Sequence, residues 1–172
     1  MRATDPIDPG RFPVLLRLLG LDPADPRATA VRTAYDARLI PLLALFEGAT
    51  ETIAALRQRY TVAIVTNGPV PLQQAKLARF GLTEQVDHVV ISDALGFRKP
   101  DPRIFHHACT LAGVAPEHAM HAGDSQATDV AGARAAGLAT VWVRTGDQRI
   151  PSGPPPDATI DRFAELRALL LD

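Results

Sequence analysis

GDSQATDVAGARAAG, residues 123–137, sets two aspartates five residues apart, where a short apolar run gives way to a helical pattern of small residues. A strand-to-helix turn already attracts anions through its unpaired backbone N–H groups, so two carboxylates there need a reason. Either Asp124 and Asp129 share a hard divalent cation, which relieves their repulsion through oxygen ligation, or one caps the helix and the other is a first-turn acid favoured by the dipole. If the helix opens near Gln126, Asp129 lies about one turn on, and both carboxylates face one cavity. The run AGARAAG favours close helix–sheet packing and does not discriminate.

Outward from this turn the sequence switches between two periods. TVAIVTNG, from Thr61, is a β-branched run closed by turn residues, the pattern of a buried strand with a loop at its C-terminal end. A helix over 72–80 stopped by Gly81 follows, then a strand over 87–92, a helix over 101–113 and a strand over 118–123. The opening helix, a strand over 139–144 and a last helix over 162–171 complete the series. Such alternation predicts an α/β fold with a parallel sheet covered on both faces, in which ligands bind outside the C-terminal strand ends. PSGPPPDAT, 151–159, reads as an extended surface loop.

Before Thr61 the pattern is helical: 12–20, then 28–46, kinked or ended by Pro41, then 48–60 with Thr50 as the expected cap and Ile53, Leu56 and Ala54 as the buried face. Helices that precede every strand predict a separate, partial helical cap over 1–46, with the core over 47–172.

Composition narrows the classes. A net charge of −1 and 5% aromatic residues argue against nucleic acid and anionic membrane as partners. The single cysteine, Cys109, excludes an internal disulfide and any multi-cysteine metal site. No stretch is long and apolar enough to span a bilayer, and MRATDPIDPG lacks a signal-peptide core. The expectation is a cytoplasmic, soluble protein.

Two further polar groups lie past strand ends. Thr66-Asn67-Gly68 offers a hydroxyl, an amide and a glycine that frees backbone N–H groups, a set suited to phosphoryl oxygens, although Asn-Gly is also a common plain turn. Lys99 sits before Pro100, which pushes it out of the helical region. It is either a cation poised to neutralise a phosphate or a solvated lysine, and Arg98 beside it suits the same task. Together the three groups bring an oxygen binder, a cation and a carboxylate pair to one sheet edge, the set that phosphoryl transfer requires.

The order TNG, KPDPRIF, GDSxxxD resembles the second, third and fourth motifs of the haloacid dehalogenase superfamily. GDSQATDVAGARAAG with HVVISDALGFRKPDPRIF is especially similar to its phosphatase branch. VTNGPVPLQQAKLARFGL resembles the pyrimidine 5′-nucleotidase-like and N-acylneuraminate-phosphatase-like members. The resemblance covers residues 48–171. It implies a Rossmann-like three-layer core with a helical cap, Mg²⁺, and hydrolysis of a small phosphorylated metabolite, a nucleotide or sugar phosphate, through an aspartyl-phosphate. By that resemblance Thr66, Asn67 and Gly68 bind the phosphoryl group, Lys99 ties it to the nucleophile, Asp124 ligates Mg²⁺ directly and Asp129 orders the metal's water shell.

The superfamily's first motif, an apolar strand ending in Asp-x-Asp, has no counterpart. Asp5-Pro6-Ile7-Asp8 has the wrong spacing and prolines where ladder donors are needed, and Asp36-Ala37-Arg38 lacks the second acid. That strand lies at the sheet centre in the family, between the strand ending in Thr66 and the one ending near Gly123. Its absence predicts exposed edges prone to self-association as a homo-oligomer, and suggests an N-terminally truncated reading frame. The alternative is a catalytically inactive remnant that binds a phosphorylated ligand or regulates. Of the remaining residues, His106, His107, Cys109, His121 and Trp142 read as packing groups, His121 also lying within reach of the acid turn, and Arg144 sits where a substrate would pass.

Overall fold

Local chemistry places most element boundaries. The computed structural model describes residues 16–18, 20–22, 25–144 and 153–172. Helix α1 (Pro26–Leu39) opens on Asp25, whose carboxylate accepts the Arg27 N–H, with proline at the first helical position, where a missing N–H costs nothing. Its C-terminal end tightens into a 3₁₀ turn, Ile40–Leu42, around Pro41. Leu16 and Ala28 form a small apolar cluster with Leu21 and Val31. The chain divides into two compact units, Met1–Ala44 and Leu45–Asp172. The predicted helix over 12–20 lies partly outside the described residues.

In the second unit, helix α2 (Ala49–Arg57) starts not on Thr50 but on Gly48, which turns the chain at a left-handed φ of 70°. Ala49, Thr52, Ile53 and Leu56 are buried, whereas Ala54, expected on the buried face, is exposed. Then come β1 (Ala63–Thr66), α3 (Val70–Arg79), the short α4 (Leu82–Gln85), β2 (His88–Ile91) and the short α5 (Ser92–Leu95). Helix α6 (Pro102–Ala112) is capped by Asp101 at one end and stopped by left-handed Gly113 at the other. Strand β3 (Met120–Gly123) leads through a wide π turn, Gln126–Val130, into α7 (Ala131–Ala135), then β4 (Ala139–Val143). Strand β5 (Ala158–Ile160) emerges from the stretch read as loop, and α8 (Leu166–Leu171) closes the unit.

The strands are parallel, as their spacing predicts, but form two sheets. β1 pairs with β2 from Ala63↔His88 to Thr66↔Ile91. β4 is flanked by β3, from Met120↔Ala139 to Gly123↔Trp142, and by β5, from Val141↔Ala158 to Val143↔Ile160. Among the described residues β1 pairs only with β2 and β3 only with β4. Burial follows. The four residues of β4 from Thr140 to Val143 are buried, whereas β1, expected to be buried, is half-buried at every position and Met120 of β3 is exposed.

Two apolar clusters hold helices to these sheets. Val90, Ile104, Phe105, Ala108, Cys109, Ala133, Ala136 and Leu138 join β2, α6 and α7. Leu56, Val141, Val143, Ile160 and Leu166 join α2, β4, β5 and α8. Cys109 and Trp142 are core residues as expected, and His106 ties α6 to α7 through Nε2 and the Ala136 carbonyl at 3.0 Å.

Gly132 sets how closely α7 approaches the segment bearing Lys99. A Cβ there meets Phe105 Cε2 at 2.6 Å and the Pro100 backbone at 2.8 Å. Gly132→Ala is therefore expected to destabilise the fold by about 1–3 kcal/mol, the range for overpacking a filled interior, as measured by chemical denaturation; an unchanged midpoint refutes this packing account.

Candidate active site

Every residue expected at the site lies in the second unit, at the C-terminal ends of β1 and β3 or on the segment before α6. At the end of β1 the three turn residues are already engaged. The Thr66 hydroxyl donates to Gln73 Oε1 at 3.0 Å, and Gln73 Nε2 donates to the Asn67 carbonyl at 3.0 Å. The Gly68 N–H donates to Ser92 Oγ at 3.0 Å. Gly68 also has a φ of 137°, and a side chain there runs into the Gln73 amide, so only glycine fits.

Asn67 is spent on Lys99. Its Oδ1 accepts the Lys99 N–H at 2.9 Å and its Nδ2 donates to the Lys99 carbonyl at 3.0 Å, so the amide side chain grips both polar atoms of the Lys99 backbone. The other end of Lys99 is held as firmly. Its Nζ donates to the Val65 carbonyl at 2.9 Å and to Asp129 Oδ1 at 2.5 Å, with its side chain 12% exposed. The geometry thus singles out Lys99 rather than Arg98 as the cation facing the acid turn.

The Val65 carbonyl has a particular position. Val62 O accepts from the Asp87 and His88 N–H groups, which directs it towards β2. Backbone groups alternate sides along a strand, so Ile64 and Thr66 also serve β2, while Ala63 and Val65 face the edge away from it. Lys99 Nζ caps a carbonyl on that outer edge.

Asp129 is the hub of the acid turn. Its side chain is 4% exposed and takes three donors: Lys99 Nζ and His121 Nε2, at 3.2 Å, on Oδ1, and the Ser125 N–H, at 3.0 Å, on Oδ2. The π turn aims it inward, with Asp129 N and Val130 N both bonded to Ser125 O, at 2.7 and 3.3 Å. Gly123 lies so close that any Cβ there overlaps the Asp129 carboxylate. Burial works against the Asp129 charge, but the His121 hydrogen bond and the charge and hydrogen bond of Lys99 outweigh it and hold its pKa well below the usual carboxylate range.

His121, expected to pack, lies edge-on against the Phe105 ring, centroids 4.9 Å apart. It also serves the site. Burial lowers its pKa, assisted by Lys99, and a carboxylate partner requires the proton on Nε2. Asp124, by contrast, points into solvent as an exposed residue, its pKa raised by partial desolvation and by repulsion from Asp129. Trp142 Nε1–H donates to the Asp124 backbone carbonyl at 3.0 Å. Arg144 pairs with Asp161 at 2.6 Å.

The donor chemistry here is oxygen. Among the described residues no three acids, histidines or cysteines converge as a metal-ligand cluster. One exposed carboxylate, raised in pKa beside a second negative charge, fits a hard cation that keeps several waters and uses one or two carboxylates, as Mg²⁺ does. Asp124 is the carboxylate free to ligate; Asp129 is committed to Lys99, His121 and Ser125.

A lysine and two carboxylates lie at the C-terminal ends of parallel strands, where α/β folds bind ligands, and similarity gives the class. Residues 13–137 match the haloacid dehalogenase-like hydrolases, and the chain belongs to that family. It is 35% identical over 163 residues to a glyceraldehyde 3-phosphate phosphatase of Methanopyrus kandleri, covering 92% of this chain and 70% of that protein. Against the pyrimidine 5′-nucleotidase YjjG of Escherichia coli it is 32% identical over 163 residues, covering 94% and 70%. Against the phosphoserine phosphatase of Thermus thermophilus it is 40% identical over 128 residues, covering 74% of this chain and only 50% of the relative. The crystal structure of the HAD hydrolase YfnB from Bacillus subtilis, bound to magnesium, superposes with a TM-score of 0.76 at 30% identity, covering 93% and 69%.

The opposite electrostatics of the two aspartates make a paired prediction. Asp129→Ala strands a buried ammonium and is expected to cost about 3–5 kcal/mol, whereas Asp124→Asn removes a charge the fold tolerates poorly and is expected to raise the melting temperature. Because Asp129 titrates below an unfolded carboxylate, its contribution is complete above about pH 4 and fades as the pH falls further. The gap between wild type and Asp129→Ala should therefore narrow on acidification; a gap that widens overturns the assignment.

Proposed function

We propose that this chain provides the phosphate- and metal-handling part of a Mg²⁺-dependent phosphomonoesterase acting on a small phosphorylated metabolite, a nucleotide or sugar phosphate. The observation that carries this is Lys99 Nζ held between the outer-edge carbonyl of β1 and Asp129, with exposed Asp124 just past the end of β3. Relatives whose names specify phosphomonoesters of glyceraldehyde, serine and pyrimidine nucleosides support the substrate class. Residues 1–46 are proposed as a partial helical cap.

In this reading Thr66, Asn67 and Gly68 line the phosphoryl site. Since the Asn67 side chain holds the Lys99 backbone, its contribution is to fix the cation in place. Lys99 neutralises oxyanion charge and Asp124 ligates Mg²⁺, with Asp129 orienting Lys99 and the turn that carries Asp124. Bound Mg²⁺ supplies charge neutralisation and orientation of the phosphoryl oxygens.

No aspartate in the 172 residues stands two positions from another, so the nucleophile of the family's first motif is not among them. An extended apolar segment ending in Asp-x-Asp, laid between the outer edges of β1 and β3, brings that carboxylate to Lys99. The half-buried state of β1 and the carbonyl edge at Val65 support this placement. Without such a segment the same pocket binds a phosphorylated ligand and does not turn it over, and the bare strand edges favour self-association.

Phosphate release from a panel of monoesters tests the reading, using the 172-residue chain with Mg²⁺, alone and with a synthetic apolar peptide ending in Asp-x-Asp. The expected result is no turnover alone and Mg²⁺-dependent turnover with the peptide, lost in Asp124→Asn. Turnover by the chain alone that survives Asp124→Asn refutes the assigned roles, and a bound peptide that restores nothing refutes the placement of the nucleophile.

A further inference from the structure

The peptide unit between Asp124 and Ser125 is held from both sides. Its carbonyl, on Asp124, accepts the Trp142 indole Nε1–H at 3.0 Å, and its N–H, on Ser125, donates to Asp129 Oδ2 at 3.0 Å. The two holding groups come from different elements, Trp142 from the middle strand β4 and Asp129 from the π turn after β3, and both are buried, 5% and 3% exposed. Strand β3 ends at Gly123, opposite Trp142 in the β3–β4 register, so the next carbonyl lies past the ladder and a side chain from the neighbouring strand meets it instead.

A peptide plane fixed at both its oxygen and its nitrogen fixes the rotations on either side of it, ψ of Asp124 and φ of Ser125. The direction in which the Cα–Cβ bond of exposed Asp124 leaves the backbone is then set before any cation arrives, and only the side-chain torsions remain to be ordered. Asp129 is itself immobilised by Lys99 and His121, so it is a rigid partner on the N–H side. On the carbonyl side the indole is the single donor assigned among the described residues, and a buried indole N–H needs an acceptor of this kind.

We infer that Trp142 is a positioning residue for cation binding: its indole N–H, acting with Asp129 across the Asp124–Ser125 peptide, preorganises the Asp124 carboxylate for a hard divalent ion. The inference rests on the reading of Asp124 as the cation ligand. Holding a ligand in its bound geometry removes an ordering cost from binding, and groups that orient a metal ligand typically change affinity by 10–100-fold when removed.

Trp142 is the only tryptophan of the chain, so its indole ¹⁵N–¹H resonance is unique and reads this bond directly. The experiment is a Mg²⁺ titration of the full chain followed by that resonance and by calorimetry, in wild type, Asp124→Asn and Trp142→Phe, which keeps an aromatic ring and deletes the donor. The expected result is an indole resonance slow to exchange with solvent that shifts on Mg²⁺ addition in wild type and not in Asp124→Asn, with affinity weakened roughly 10-fold or more in Trp142→Phe. Wild-type affinity in Trp142→Phe, or an indole resonance indifferent to saturating Mg²⁺, overturns the inference while leaving the Asp124 ligand in place. Absence of any Mg²⁺ binding by wild type overturns both. Should Trp142→Phe fail to fold, the wild-type and Asp124→Asn resonances decide alone.

Discussion

The buried contact between Lys99 Nζ and Asp129 Oδ1 is the constraint on which the remaining site geometry depends. The two side chains are 12% and 4% exposed, and an ion removed that far from water is tolerated only when its remaining hydrogen-bonding capacity is met. Both ends are therefore supported by dedicated groups. Asn67 clamps the lysine backbone, the Val65 carbonyl takes a second ammonium proton, and His121 and the Ser125 N–H complete the carboxylate. Gly123 and Gly132 are small because the carboxylate and the segment behind Lys99 approach the backbone that closely.

The same contact spans the break between the two sheets. Across β1–β2 and across β3–β4–β5 the backbone ladder does the joining, but between β1 and β3 the described links are side-chain ones: the Lys99–Asp129 pair and the apolar cluster that packs β2, α6 and α7 together. β1, with three apolar residues out of four, is thereby only half-buried, since burial of a strand depends on its neighbours as much as on its own residues.

That dependence on neighbours explains what was legible in the sequence. Asp25-Pro26, Asp101-Pro102 and Gly113 are local signals, and the helix ends fall where they indicate. Gly48 rather than Thr50 starts α2 because a left-handed residue reverses the chain there, a choice that a polar cap residue two positions on obscured. β5 hides inside a proline-rich stretch: three residues become a strand only because β4 offers an edge, and Asp157 helps by accepting from both the N–H and the hydroxyl of Thr140. At the site, Thr66, Lys99, Asp124 and Asp129 were readable from their places past strand ends. Gln73, Ser92 and Trp142 were not, since each acts through a partner between 6 and 24 residues away that only the fold brings near.

Lys99 Nζ already serves two oxygen acceptors, and the Thr66 hydroxyl, the Asn67 amide and the Gly68 N–H have acceptors of their own. The Thr66 hydroxyl and the Gly68 N–H each carry one proton, already donated, so a further acceptor at either displaces an existing bond, whereas the Lys99 ammonium has donated two of its three protons. The net free energy of such an exchange is a difference between two sets of similar bonds, which is small for any ligand that replaces only one. A ligand that presents several oxygens at once exchanges several of these bonds together and gains more than one that meets a single donor.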